Sequence, residues 1–427
     1  MKRFNYSDLS KAAIQKLVQR NVDPAEEIRA VVEDVIKNVR ANGDKALFDY
    51  AAKFDKVELK SLFIEKDEIG QLASTLQPDQ KQALQMAYDN IYKFHQTQLK
   101  TEDKVETMPG VTCWRELRPI EKVGLYIPGG TAVLPSTFLM LGIPAQIAGC
   151  HEIVVCSPPQ RNGKVNAYIA YVAHLLGIEK IYLIGGSQAI AAMAYGTESI
   201  PKVDKIFGPG NQYVTKAKTI IQSTTNTAID MPAGPSEVLV IADESAVPEY
   251  VAADLLAQAE HGVDSQSVLV TTSTELAEKV QAELTKQLPV LPRAEIAGKA
   301  IDNSYIVITN TLDEAMDFSN QYAPEHLILA TASWRQITGN IINAGSVFLG
   351  NLTPESAGDY ASGTNHTLPT SAYARAYSGV SVDSFVKKIT FQHITPDGIK
   401  NIGPTVETLA ELEGLQAHKN AVTVRMK

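Results

Sequence analysis

The sequence predicts an α/β fold of two parallel-sheet domains, with a helical N-terminal extension and a small C-terminal one. Three observations lead there. From about Lys122, short apolar runs alternate with amphipathic segments, the pattern of successive β-α-β units. After Pro232-Ala233-Gly234-Pro235 the same alternation resumes. Glycine and proline clusters, Pro128-Gly129-Gly130 and residues 232–235, bracket the first set of units and mark where a chain can cross between domains.

In chain order, the first hundred residues read as helices. Asp23-Pro24 supplies a cap and a first-turn proline, and residues 25–40 carry apolar side chains at helical spacing until Asn42-Gly43. Residues 79–99 form a second amphipathic stretch. The apolar runs 123–127, 153–156, 181–184 and 203–207 follow as strands, with helices at 137–148, 167–176, 188–195 and 213–222. The runs are continuously apolar, as expected of a parallel sheet covered on both faces, a Rossmann-like layout. A second sheet is predicted from strands at 238–242, 267–271, 305–308, 327–330 and 346–349, with helices at 247–260 and 275–287. The tail has a β-branched run near 388–391 and short helices at 405–414 and 415–424. The expected units are an N-terminal helical arm (1–24), a discontinuous α/β domain (25–124 with 234–380), an inserted α/β domain (125–233) and a C-terminal unit (381–427).

Composition removes several classes of function. With 39 Lys+Arg against 48 Asp+Glu, the formal net charge of −9 gives no overall attraction for phosphate backbones. No apolar run reaches the roughly 18 residues of a membrane span, and the N-terminus lacks the apolar core of a secretory signal. Cys113, Cys150 and Cys156 make an odd count without a C-x-x-C pair, which excludes a disulfide framework or a cysteine-rich zinc site and fits a reducing cytoplasm.

Four segments carry candidate chemistry. In Gln258-Ala-Glu-His261-Gly262, residues three apart share a helix face, and the glycine puts both in the last turn. By itself this reads more readily as a partly exposed histidine at a helix end, glutamine being an unusual zinc ligand. In Pro324-Glu325-His326 a carboxylate adjoins an imidazole, two groups able to move protons near neutral pH. Neighbours in a strand point to opposite faces, so the two can serve one site only if Pro324 holds them in a turn before the strand; a polar loop at a strand entry fits as well. The run from Asn351 to His366 holds Glu355, Asp359 and His366 in a long polar loop after a strand, where open α/β sheets place ligands. Glu413 and His418 lie in a tail helix that alone reads as a solvated surface.

Absences narrow the chemistry further. The sequence has no H-E-x-x-H, no G-x-x-x-x-G-K-[ST] and no G-x-G-x-x-G, Gly208-Pro209-Gly210-Asn211 being the nearest. Glycine turns at 129–130, 185–186 and 208–210 each follow a strand and precede a helix, so they suit a phosphate or an ordinary connection.

Several strings occur together and in order: Val123-Gly-Leu-Tyr126-Ile-Pro-Gly-Gly130, Phe207-Gly-Pro-Gly-Asn211, Ile229-Asp-Met-Pro-Ala-Gly-Pro-Ser236-Glu, Ala257-Gln-Ala-Glu-His261-Gly, Pro324-Glu-His326, Pro354-Glu-Ser-Ala-Gly-Asp359-Tyr-Ala-Ser-Gly-Thr-Asn-His366 and Ala417-His-Lys-Asn420. The combination closely resembles the histidinol dehydrogenase family from about residue 25 to the C-terminus. The resemblance implies a cytoplasmic, zinc-dependent enzyme that oxidises L-histidinol to L-histidine through L-histidinal with two NAD+, the last step of histidine biosynthesis. It implies one zinc per subunit held by Gln258, His261, Asp359 and His418, with Glu325 and His326 as acid/base pair. Ser236 and Glu413 would meet substrate alongside His326 and the metal ligands, and Tyr126, Gln188 and Asn211 would line the NAD site in the 125–233 domain. It also implies a homodimer whose C-terminal unit reaches the neighbouring active site. A zinc hydrolase and a two-lobed small-molecule binding protein are the rival readings, because fold alone does not set function. A thiohemiacetal route through a cysteine is the rival mechanism, although all three thiols read as structural.

Overall fold

A computed structural model describes residues 1–20, 26–129, 133–232 and 234–427. The Asp23-Pro24 cap and parts of the two glycine/proline clusters lie outside these residues.

Two six-stranded sheets organise the chain. The first runs Phe63–Glu65, Lys180–Leu183, Glu152–Ser157, Lys122–Tyr126, Lys205–Phe207, Ala228–Ile229 across its width. All its pairs are parallel except that of Phe63–Glu65 with Lys180–Leu183. Strand order therefore reverses between Lys122–Tyr126 and Lys205–Phe207, the switch point where such sheets form a crevice at their carboxyl ends. The second sheet is wholly parallel, ordered Lys2–Asn5, Tyr305–Ile308, Gln266–Thr271, Glu237–Ala242, His326–Ala330, Ser346–Leu349. Its central strand Glu237–Ala242 is buried along its length, as continuous apolar sequence requires when helices cover both faces.

Most elements expected from 122 to 349 form within a residue or two of their predicted bounds. Three departures matter. Lys2–Asn5 is not part of a helical arm; it is an edge strand parallel to Tyr305–Ile308, with Phe4 packed edge-on against Tyr305. Residues 26–98 do not join the 237–349 sheet as the expected domain limits had it. Their strand Phe63–Glu65 extends the first sheet, and their helices Glu26–Tyr50, Lys66–Ser74 and Pro78–His95 cover its flanking helices. Burial decided this: Val32, Val35, Val39, Leu47 and Ile91 are enclosed by the apolar side chains of that lobe. Thirdly, Val111–Pro119 pairs with Val386–Ile394 on one side and Val105–Met108 on the other in a small antiparallel sheet. The C-terminal helices Pro396–Leu412 and Gln416–Thr423 pack on each other, the former also on Val111–Pro119. No helix among the described residues is long and apolar enough to cross a membrane.

Candidate active site and metal centre

The turn expected to hold both Glu325 and His326 before the strand holds only Glu325, because His326 is the first residue of the strand His326–Ala330. Ala323 closes the preceding helix with a left-handed backbone (φ 53°), a strained state for alanine of the kind that clusters at functional sites. The amides of Gly345 and Ser346 donate to the carbonyls of Pro324 and Glu325, both at 2.9 Å. A side chain at 345 would stand 2.6 Å from the Glu325 carbonyl, so glycine is required for that approach. Glu325 thus sits just outside the strand, and its Oε2 lies 3.6 Å from His326 Nδ1. Both are enclosed.

Glu237, the first residue of the central strand, holds the pair through its peptide groups. Its N–H donates to Glu325 Oε2 at 2.9 Å, and its carbonyl lies 3.2 Å from His326 Nδ1. That contact makes Nδ1 a donor and leaves Nε2, 3.4 Å from Asp359 Oδ1 and without a well-aligned hydrogen bond, as the nitrogen whose proton can be gained or lost. Ser236 precedes Glu237, half-buried at the same strand entry.

Gln258 is in the last turn of Pro248–Ala259 and His261 follows two residues after that helix, as the Gly262 stop implied. Asp359 comes from a short helix, Glu355–Tyr360, inside the predicted loop. Three observations fit a cation here. The Gln258 side chain is wholly buried, yet neither its oxygen nor its nitrogen has a partner. Such an orphan is costly unless a ligand completes it. Asp359 interacts electrostatically with His261 and His326, and these imidazoles overcome burial to hold its carboxyl below the ordinary range. His261 is crowded but open to solvent, and burial lowers its pKa against the pull of Asp359, favouring the neutral form a metal binds. The residues therefore suit a hard or borderline dication held by amide oxygen, imidazole and carboxylate.

The fourth expected ligand is elsewhere. His418 and Glu413 are exposed on the C-terminal unit, and among the described residues no group of three His, Cys, Asp or Glu stands ready for a metal. Within one chain the candidate donors are Gln258, His261 and Asp359.

Sequence reasoning passed over two carboxylates, Glu237 and Asp254, and gave Glu355 no role beyond the loop that carries it. Besides Glu237, Glu355 is buried with both oxygens unpartnered, and burial pushes it well above the usual range. Asp254, one turn before Gln258, is pushed by burial up to about 7. Glu325 is pushed by burial up to about 7, with His326 opposing. Burial disfavours the His326 imidazolium, but Glu325, Glu355 and Asp359 outweigh it and raise its pKa. Only the i,i+4 spacing of Asp254 to Gln258 and of Glu355 to Asp359 carried a signal of this acidic surround. His366 uses both ring nitrogens structurally: Nδ1 is 2.8 Å from the Asp359 carbonyl and Nε2 is 2.9 Å from Thr137 Oγ1. It braces the Asp359 segment against the first lobe.

The residues expected at a nucleotide cluster at the carboxyl end of the first sheet. Tyr126 ends its strand, and its hydroxyl accepts from the Gly186 amide at 3.2 Å. Gln188 is buried in the first turn of Gly186–Tyr195. Asn211 caps Gln212–Thr224, its Oδ1 accepting from the amides of Tyr213 and Val214. Gly208 (φ 126°) lets its loop come against the Tyr126 carbonyl, where a side chain would collide. These are helix N-termini flanking a switch point, an arrangement that suits a pyrophosphate.

A family model, described as histidinol dehydrogenase, matches residues 18–426. The chain belongs to the histidinol dehydrogenase family. It is 57% identical over its whole length to a histidinol dehydrogenase of Bacteroides thetaiotaomicron, covering 99% of that protein. It is 53% identical to the chloroplastic family member of Arabidopsis thaliana, covering 92% of it. The crystal structure of histidinol dehydrogenase from Elizabethkingia anophelis superposes with a TM-score of 0.96 at 53% identity, over 100% of this chain and 98% of that one. Family membership and the parallel-sheet architecture agree with what the motifs implied.

Proposed function

We propose that this protein oxidises L-histidinol to L-histidine through L-histidinal, the last step of histidine biosynthesis, using zinc and two NAD+. The observation that carries the reading is the meeting of Glu325, His326 and Asp359 at one buried point, with the unpartnered Gln258 amide on a helix that packs against the Asp359 helix, in a chain of this family. Gln258, His261 and Asp359 would hold zinc with His418 of a second copy. Bound zinc would orient the substrate's imidazole and amine and withdraw charge from the alcohol carbon, while two NAD+ bound in turn near Tyr126, Gln188 and Asn211 would each accept one hydride.

This chain's own residues move the protons. His326 Nε2 takes the alcohol proton as the first hydride departs, with Nδ1–H held by the Glu237 carbonyl. Glu325 draws a proton from water as it adds to the aldehyde, and His326 assists the second oxidation from the hydrate. Ser236 and Glu413 contact substrate, Glu413 from the partner.

The position of the remaining expected donors supports shared sites. Glu413 and His418 are exposed on a C-terminal unit that also leaves Leu409, Leu412 and Leu415 uncovered, Leu412 by 79%. An apolar face beside stranded ligands suits a homodimer interface that completes each site in trans. Following NADH formation against histidinol consumed tests the function: two equivalents per substrate are expected. One equivalent would mean release of the aldehyde, and none would favour a hydrolase or a binding protein.

A further inference from the structure

We infer that Arg20 is a positioning residue for the reaction: by clamping Glu237 to Tyr322, it fixes the two chain segments that aim Glu325 and His326. The inference rests on the acid/base reading of that pair.

The clamp is built from the far end of the sequence. Arg20 follows the helix Lys11–Val18 and reaches the entry of the second sheet with its side chain 90% enclosed. Its Nη2 donates to Glu237 Oε1 and to the Tyr322 carbonyl, each at 2.9 Å, while Nε stands 2.7 Å from Glu237 Oε2, angled off a true hydrogen bond. The guanidinium carbon also stands over the Tyr322 ring, 3.8 Å from its centre. The Ser371 amide donates to Glu237 Oε1 at 2.9 Å from the other side.

What this clamp holds explains its place. The Glu237 peptide meets Glu325 Oε2 through its N–H and His326 Nδ1 through its carbonyl. Tyr322 ends the helix whose next residues, Ala323 and Pro324, turn the chain into Glu325. Arg20 thus touches neither reacting group, yet grips both strand entries that set their separation. A buried ion pair is a weak source of stability, since desolvating both charges offsets much of their attraction. Its value here is geometric, and arginine suits it because a planar fork can serve two oxygens and a carbonyl together, which an ammonium cannot.

The test compares R20K and R20Q in the zinc-loaded enzyme, alone and combined with H326Q. A misplacement of a fraction of an ångström should lower kcat about 10–100-fold with R20Q and less with R20K, while the histidinol KM changes little. Combined with H326Q, either Arg20 substitution should cost much less, because there is no longer an imidazole to aim. Amide hydrogen exchange at Glu237 should accelerate in both variants, a readout independent of turnover. Unchanged kcat in folded R20K, or an equal loss in both backgrounds, would overturn the inference. Should R20Q fail to fold, R20K and its exchange rate decide. Wild-type turnover in H326Q alone would instead remove the acid/base reading on which the inference stands.

Discussion

Glu325 and His326 are consecutive in the chain, yet their side chains converge to 3.6 Å. A regular strand would have sent them to opposite faces. The convergence exists because the strand begins at His326, leaving Glu325 in a turn pinned by Gly345 and Ser346. From it we expect H326Q to lower turnover by about 10²–10⁴-fold, the usual worth of a positioned proton transfer. Metal analysis of the purified variant should return the wild-type zinc content; loss of metal would show His326 to be a ligand.

Glu325 should control the second oxidation. Burial has raised its carboxyl to about 7, and a base works only once deprotonated, so oxidation of supplied histidinal should fall as pH drops below that value. In E325Q that acid limb should vanish and NADH per histidinol should fall from two toward one. A limb that survives the substitution belongs to another group.

Mixing two inactive variants tests the shared site. If His418 serves the neighbouring subunit, H326Q and H418Q combined in mixed dimers regenerate one intact site per hybrid. Random reassortment then restores about a quarter of wild-type activity. No recovery, with hybrid dimers confirmed by mass, would mean that each chain completes its own site.

The thiols should be dispensable. Cys156 is fully enclosed, and burial drives its thiol far above neutral pH, while Cys150 is raised to about 11. Protonated thiols are poor nucleophiles. A C113S/C150S/C156A protein should still yield two NADH per histidinol, with its main penalty a loss of thermal stability from the Cys156 position. A reaction that stops at the aldehyde would revive the thiohemiacetal route.

Much of the architecture was legible in the chain itself. Continuously apolar runs such as residues 238–242 read as buried strands, and their alternation with helices dictates parallel sheets, because a crossover must return each strand in the same direction. The motif strings likewise announced the family and most of the candidate site. What pattern could not supply was partnership at a distance. Nothing in Lys2–Asn5 says that it pairs with Tyr305–Ile308, and nothing in the helices of residues 26–95 says which sheet they cover, because amphipathic faces specify that burial occurs and not against what. Arg20 and Glu237, 217 positions apart, read as ordinary surface charges until folding encloses them together. Local sequence decides local conformation through sterics and periodicity, whereas contacts between remote segments are selected by the packing of the whole, and the aiming of the acid/base pair belongs to the second kind.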